Sequence, residues 1–185
     1  MSKAAVTRSL AAGFTLIELM VTIVILAILL AIVMPSFNNA LLGGKLNALA
    51  NNFIASTNLA RSEAIKRNSE ITLCMSANGT SCASTGSWEQ GWIVACKTTN
   101  NTLCDTSGSS WIVFQHQQAN TSGLKIVETT SGSGSFIFQS TGVGAIPGRL
   151  KICRATPTTG LQERVVSVSA SGRVSVEKTA LNACP

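Results

Sequence analysis

Histidine occurs once in the 185 residues of this chain, at His116. A second imidazole is therefore missing for any histidine-based metal cage or two-histidine proton relay. The six cysteines include no C-x-x-C pair, the spacing that zinc ribbons and dithiol redox sites use. There is no G-x-S-x-G nucleophile elbow and no phosphate-cradling glycine loop, and no two carboxylates stand in a persuasive acid–base context. Charged residues make up only 12%, about half the usual share. Together these absences argue against an enzyme, a resident metal and a cofactor. His116 reads as an ordinary strand residue.

Serine, threonine, asparagine and glycine fill the space that charge leaves, giving the polar but uncharged surface common outside the cytoplasm. The net charge is +6, of which Lys3 and Arg8 supply two. That surplus permits an anionic partner without demanding one. Against this polar background stands an apolar run from Phe14 to Met34, broken by one acid, Glu18. Twenty-one residues at about 1.5 Å each make a helix of roughly 30 Å, enough to cross a bilayer core. A carboxylate inside such a run costs about 2.5–3.5 kcal/mol on insertion scales, so Glu18 is a functional candidate. A signal anchor with a tolerated acid is the plainer reading. A secretory signal fits poorly, because no small-x-small cleavage site follows the run.

The residues G-F-T-L-I-E, with a short basic leader before them and an apolar helix after, resemble the class III signal of type IV prepilins and type II secretion pseudopilins. The resemblance implies a leader at 1–13, cut by a prepilin peptidase between Gly13 and Phe14 on the cytoplasmic face. It also implies methylation of the new terminus at Phe14 and retention of 14–34 as a transmembrane and assembly helix. Glu18 then becomes the fifth mature residue and matches the family's acid. A buried carboxylate needs a cationic or hydrogen-bonding partner. The α-ammonium of Phe14, from the same or a neighbouring subunit, lies about one turn away and would let Glu18 set axial register.

The six cysteines of an exported chain point to disulfides. Cys74 and Cys82, and likewise Cys96 and Cys104, are separated by seven residues, so each pair could close a local loop. Cys153 and Cys184 would then tie the C-terminus back to a strand. That nearest-neighbour pairing is one of the fifteen that six cysteines allow. A cross-link between the first two loops is the alternative.

Pro35 removes a backbone donor and predicts a kink or loosening of the helix. Helical spacing resumes with Leu42, Leu46, Leu49, Phe53 and Ala60, is weakened by Gly43 and Gly44, and fades near Asn68. Residues 35–68 thus form an amphipathic second half, whose stripe needs a core to cover it. From Glu70 the period becomes two. Strands are predicted at Ile71–Met75, Gly91–Cys96, Trp111–His116, Leu124–Glu128, Phe136–Ser140, Leu150–Arg154, Val165–Ala170 and Arg173–Glu177. The last two read as a hairpin turning at Ser171–Gly172. The fold class is α+β: a long N-terminal helix packed on a disulfide-bonded, antiparallel β-rich domain at 69–185.

Three further segments, LARSEAIKRNSEITLC, SWEQGWIV and the S-x-S-G-R-V hairpin, are similar to GspH/FimT-type minor pilins and pseudopilins. The resemblance implies a single-pass protein of the bacterial inner membrane with a periplasmic domain, later built into a pilus or pseudopilus. The implied partners are the prepilin peptidase, other minor pilins or pseudopilins, the major pilin and the inner-membrane assembly platform. The leading function is a type IV minor pilin that helps initiate or cap assembly, with a type II secretion pseudopilin as the alternative. A DNA-binding uptake pilin comes third, since some FimT-like relatives carry G-R-x-R near the C-terminus. Here Gly172–Arg173–Val174–Ser175 lacks the second arginine. Arg173, Arg164 and Lys178 are the candidate DNA contacts in a basic tail that also holds Arg149, Lys151 and Arg154; solvated charge is the favoured reading. Trp88, Trp92 and Trp111 could form a binding platform, but core or sheet-face packing is favoured.

Overall fold

The computed structural model describes residues 13–97, 104, 111–130, 134–144, 147–154, 163–179 and 184. By its contacts the chain divides into two units, Met1–Leu41 and Leu42–Pro185. Helix α1, Leu16–Arg67, contributes to both and passes without interruption through Pro35, Gly43 and Gly44. Pro35 therefore does not end the helix.

In the first unit, every apolar side chain from Phe14 to Met34 faces outward. The most apolar 18-residue window of α1 has a mean hydropathy of 3.1 and none of it is buried. The helix is long and apolar enough to cross a membrane.

The second unit holds the remainder of α1 and eight strands among the described residues. The predicted stripe is buried as expected at Leu42, Leu46, Leu49, Phe53 and Ala60, and Ala50, Ser56, Thr57 and Ala64 extend it. Ser56 and Thr57 tolerate burial because each hydroxyl donates to a carbonyl one turn back, on Asn52 and Phe53. The helix ends where Asn68 turns left-handed, at φ 48°. There Ser69 N–H reaches Ala64 O at 3.1 Å and Asn68 N–H reaches Ile65 O at 3.3 Å, the paired bonds of a Schellman cap.

The strands are β1 (Ile71–Met75), β2 (Trp92–Lys97), β3 (Trp111–Gln117), β4 (Leu124–Glu128), β5 (Ser135–Phe138), β6 (Gly148–Arg154), β7 (Glu163–Val168) and β8 (Val174–Thr179). They form two four-stranded antiparallel sheets, ordered β3-β2-β1-β5 and β4-β6-β7-β8. All eight predicted strands exist, with ends shifted by up to two residues. Their inner faces and the helix stripe share one core.

Phe53 is the hub of that core. Its ring meets Trp88 at 5.4 Å, Trp92 at 5.7 Å and Phe136 at 5.7 Å, each edge-on, the geometry that aromatic quadrupoles favour. Trp92 Nε1–H donates to Ser56 Oγ at 2.9 Å and Trp88 Nε1–H to Glu128 Oε2 at 3.3 Å. Trp88 and Trp92 are therefore packing residues, and a three-tryptophan platform is not formed. Trp111 is half-buried on the other face of the first sheet, beside Cys74, Ile93 and Ala95.

The disulfides follow nearest-neighbour pairing: Cys74–Cys82, Cys96–Cys104 and Cys153–Cys184. A cross-link between the first two loops is excluded. The closing hairpin turns one residue earlier than predicted. Gly172 N–H bonds back to Ser169 O, and Gly172 sits at φ 73°, so a turn over Ala170–Ser171 is completed by a left-handed glycine. A side chain at Gly172 would also meet Gly142 O at 2.7 Å.

Candidate functional site

Two regions could carry function: the start of α1 and the outer surface of the second sheet. At the first, Gly13 precedes the helix and has nothing within 4 Å of where a Cβ would stand. The Gly13–Phe14 bond is thus open on the glycine side, and Phe14 is 79% exposed. The basic residues Lys3 and Arg8 lie outside the described residues.

Glu18 sits in the first turn of α1, and its backbone N–H donates to Thr15 Oγ1 at 3.3 Å. Thr15 thereby caps the helix as its N-cap, with Glu18 at N3, the spacing of the T-x-x-E signature. A carboxylate there also complements the positive end of the helix dipole. Sequence reasoning gave Glu18 the α-ammonium of Phe14, its own or a neighbour's, as partner and missed this bond to Thr15, although T-x-x-E before an apolar run was there to be read. Apart from Glu18, nothing acidic or basic interrupts the surface from Phe14 to Met34.

At the second region, the basic tail proves heterogeneous. Arg164 was a candidate DNA contact, but it is 4% exposed. Its Nε–H donates to Asn47 Oδ1 on α1 at 2.7 Å, and Nη1–H donates to Glu163 O at 2.8 Å. Burial lowers its pKa from the ordinary arginine value. Arg164 is a helix-to-sheet tie, which removes it from any phosphate-facing set. Lys151 is likewise buried and paired with Glu163 at 3.2 Å.

Arg149, Arg154, Arg173 and Lys178 remain exposed and form no ion pair among the described residues. They do not align. Lys178 is in register with Arg164 and so stands on the helix-facing side of the sheet, at the far end of β8 from Arg173. Arg149 is on the opposite face, in register with Ser167, which in turn faces Ser175. Arg154 lies five residues along β6 from Arg149, about 17 Å at strand rise and on the other face. Arg149 and Arg173, by contrast, line one cleft.

His116 is exposed on β3, and its ring covers Gly79 so closely that a Cβ there would lie 2.7 Å away. Among the described residues, no three His, Cys, Asp or Glu side chains gather at metal-binding range.

Comparison with known proteins adds the following. Residues 8–34 match the prokaryotic N-terminal methylation motif. Residues 49–172, two thirds of the chain, match the family described as type II transport protein GspH. The structure is similar to the Pseudomonas aeruginosa type IV minor pilin FimU in two crystal forms. One gives 20% identity and a TM-score of 0.52 over 72% of this chain and 89% of that one; the other gives 22% and 0.51 over 71% and 92%. It is also similar to the minor pseudopilin EpsH of the Vibrio cholerae type II secretion system, at 13% identity and a TM-score of 0.51 over 76% of this chain and 98% of that one. At these identities the likeness is one of fold. Comparison with curated proteins finds no match.

Proposed function

The chain belongs to the type II transport protein GspH family, and from that premise we propose that it is a minor pilin of a type IV pilus that helps initiate or cap filament assembly. The observation that carries this reading is the pairing of an outward-facing apolar helix with a folded, disulfide-bonded domain on one continuous α1. Such a helix needs lipid before assembly and neighbouring helices afterwards, because water is a poor solvent for both cases.

In this reading a prepilin peptidase cuts between Gly13 and Phe14. The cut creates an α-ammonium at Phe14, which is then methylated. Glu18 loses none of its helix-capping geometry by cleavage, since Thr15 remains. Its carboxylate accepts the Phe14 ammonium of an adjacent subunit and sets the axial step. The β-domain, in the periplasm until assembly, supplies contacts to other minor pilins and the major pilin. The subunit has no catalytic duty.

The test is surface filament count after shearing, in a deletion strain complemented with wild type or with Glu18→Ala. Pili should vanish on deletion and return with wild type. Glu18→Ala should be inserted and processed normally yet enter filaments poorly; normal incorporation would remove the register role. If pili persist on deletion, the secretion pseudopilin reading takes over. It is the reading favoured by the family's own description as a transport protein, and loss of protein secretion in the same strain would mark it.

A further inference from the structure

One feature of the second sheet is not needed for insertion, folding or register. A cleft of about 420 Å³ opens at the end of the sheet where β6 begins and the β7–β8 hairpin turns. This volume lies in the range of pockets that hold small ligands or a few side chains. Arg149 and Arg173 both line it, with Ser167 and Ser175 beside them and the exposed Pro147 supplying apolar wall. No aspartate or glutamate is among its described lining residues. Neither guanidinium has an ionic partner among the described residues.

Two arginines from different elements, hydroxyls beside them and an apolar wall suit one carboxylate flanked by apolar atoms. Guanidinium binds carboxylate through two parallel N–H donors. A nucleic-acid backbone asks for something else, a track of cations spaced along a groove. This surface does not provide one: Arg164 and Lys151 are buried in ties of their own, while Lys178 and Arg154 point from the opposite face. We infer that the Arg149–Arg173 cleft is a docking site for an acidic peptide segment, a glutamate or aspartate side chain beside an apolar one, presented by a neighbouring subunit. Naming a subunit as the source rests on the filament reading above; the carboxylate chemistry does not.

The full-length, 15N-labelled chain in non-ionic detergent would be titrated with acetyl-Leu-Glu-Leu-amide and with its Leu-Gln-Leu counterpart. The readout is the Nε–H signals of Arg149 and Arg173. Both should shift saturably with the glutamate peptide, and the glutamine peptide should need at least about tenfold more for the same shift. Arg149→Gln and Arg173→Gln, each altering an exposed side chain, should each weaken the glutamate titration by about tenfold. Equal responses to the two peptides, or no saturable shift at either arginine, would overturn the assignment. So would a short duplex DNA that moves Arg154 and Lys178 together with the pair at lower concentration, which would mark a phosphate track. None of these outcomes bears on filament count, so the cleft and the pilin reading fail separately.

Discussion

The two halves of α1 share one backbone and obey opposite rules. From Leu16 to Met34 the helix is apolar nearly all round and exposed; from Leu42 to Arg67 a buried stripe runs down one side and Asn, Lys, Arg and Glu cover the rest. Helix propensity does not explain the difference, since the second half is helical despite Gly43, Gly44 and four asparagines. What separates them is where the apolar surface finds a partner. The second half supplies its own, the inner faces of two sheets. The first half depends on what surrounds it. A single helix can thus be half core element and half interface, and its sequence pattern shows where the change occurs.

The comparison breaks most sharply at Phe53. Phe53→Ala should destabilise the β-domain by about 3–5 kcal/mol, because it empties the centre of the cluster formed with Trp88, Trp92 and Phe136. Leu26→Ala, also a large apolar residue on α1 but 56% exposed, should move domain stability by no more than about 0.5 kcal/mol. Denaturant unfolding of the full chain in non-ionic detergent, followed by tryptophan fluorescence, measures both. Equal effects would mean that the halves are not energetically distinct.

Covalent closure sharpens the same contrast, since all three disulfides lie in the second unit. Cys153–Cys184 spans 31 residues, against eight for each of the others. On the loop-entropy model, replacing Cys153 and Cys184 by serine should cost about 3–4 kcal/mol, and replacing either short-loop pair about 2.5–3 kcal/mol. Full reduction should unfold the β-domain while helical circular dichroism from the first half persists in micelles. Loss of that helical signal together with the domain would show that the halves fold as one.

The same division explains what could be read in advance. Local signals were legible: the apolar run, the helix stripe from Leu42 to Ala60, eight alternating segments and the two short cysteine loops. Pairings set at long range were not. β4 and β5 follow one another in sequence, yet β4 joins the second sheet while β5 returns to pair with β1. Turn chemistry does not encode that choice; the burial of Phe136 and Phe138 against the first sheet's core does. Arg164 looked like surface charge because its partner Asn47 is 117 residues away. A residue's neighbours in sequence say little about a strand facing a distant helix. Glu18 was found but half explained, because attention to its cost in lipid hid its fit to Thr15.

The smallest effect concerns the second acid of α1 that is set in a first or last turn's reach, Glu63. Its carboxylate accepts Arg67 Nε–H at 2.6 Å and lies 3.7 Å from Lys66 Nζ. The Arg67 bond chiefly holds its carboxyl below the usual carboxylate range, while burial acts in the opposite sense. Arg67 in turn lies over the Phe114 ring at 4.3 Å, so the pair links the end of α1 to edge strand β3. A depressed folded pKa gives stability that is present above the unfolded value and is lost as pH falls through the folded one. Glu63→Gln should therefore lower domain stability at neutral pH by about 0.3–0.5 kcal/mol, as for other i,i+4 pairs. Variant and wild type should converge as pH falls through the lowered folded pKa of Glu63. Glu18 has no basic side chain at helical spacing, where Phe14, Thr15, Val21 and Thr22 are its neighbours. Glu18→Gln should leave the stability of the β-domain at neutral pH unchanged. If instead it reproduces the Glu63 effect, the two halves of α1 are electrostatically coupled and the division drawn at Leu41–Leu42 does not hold for charge.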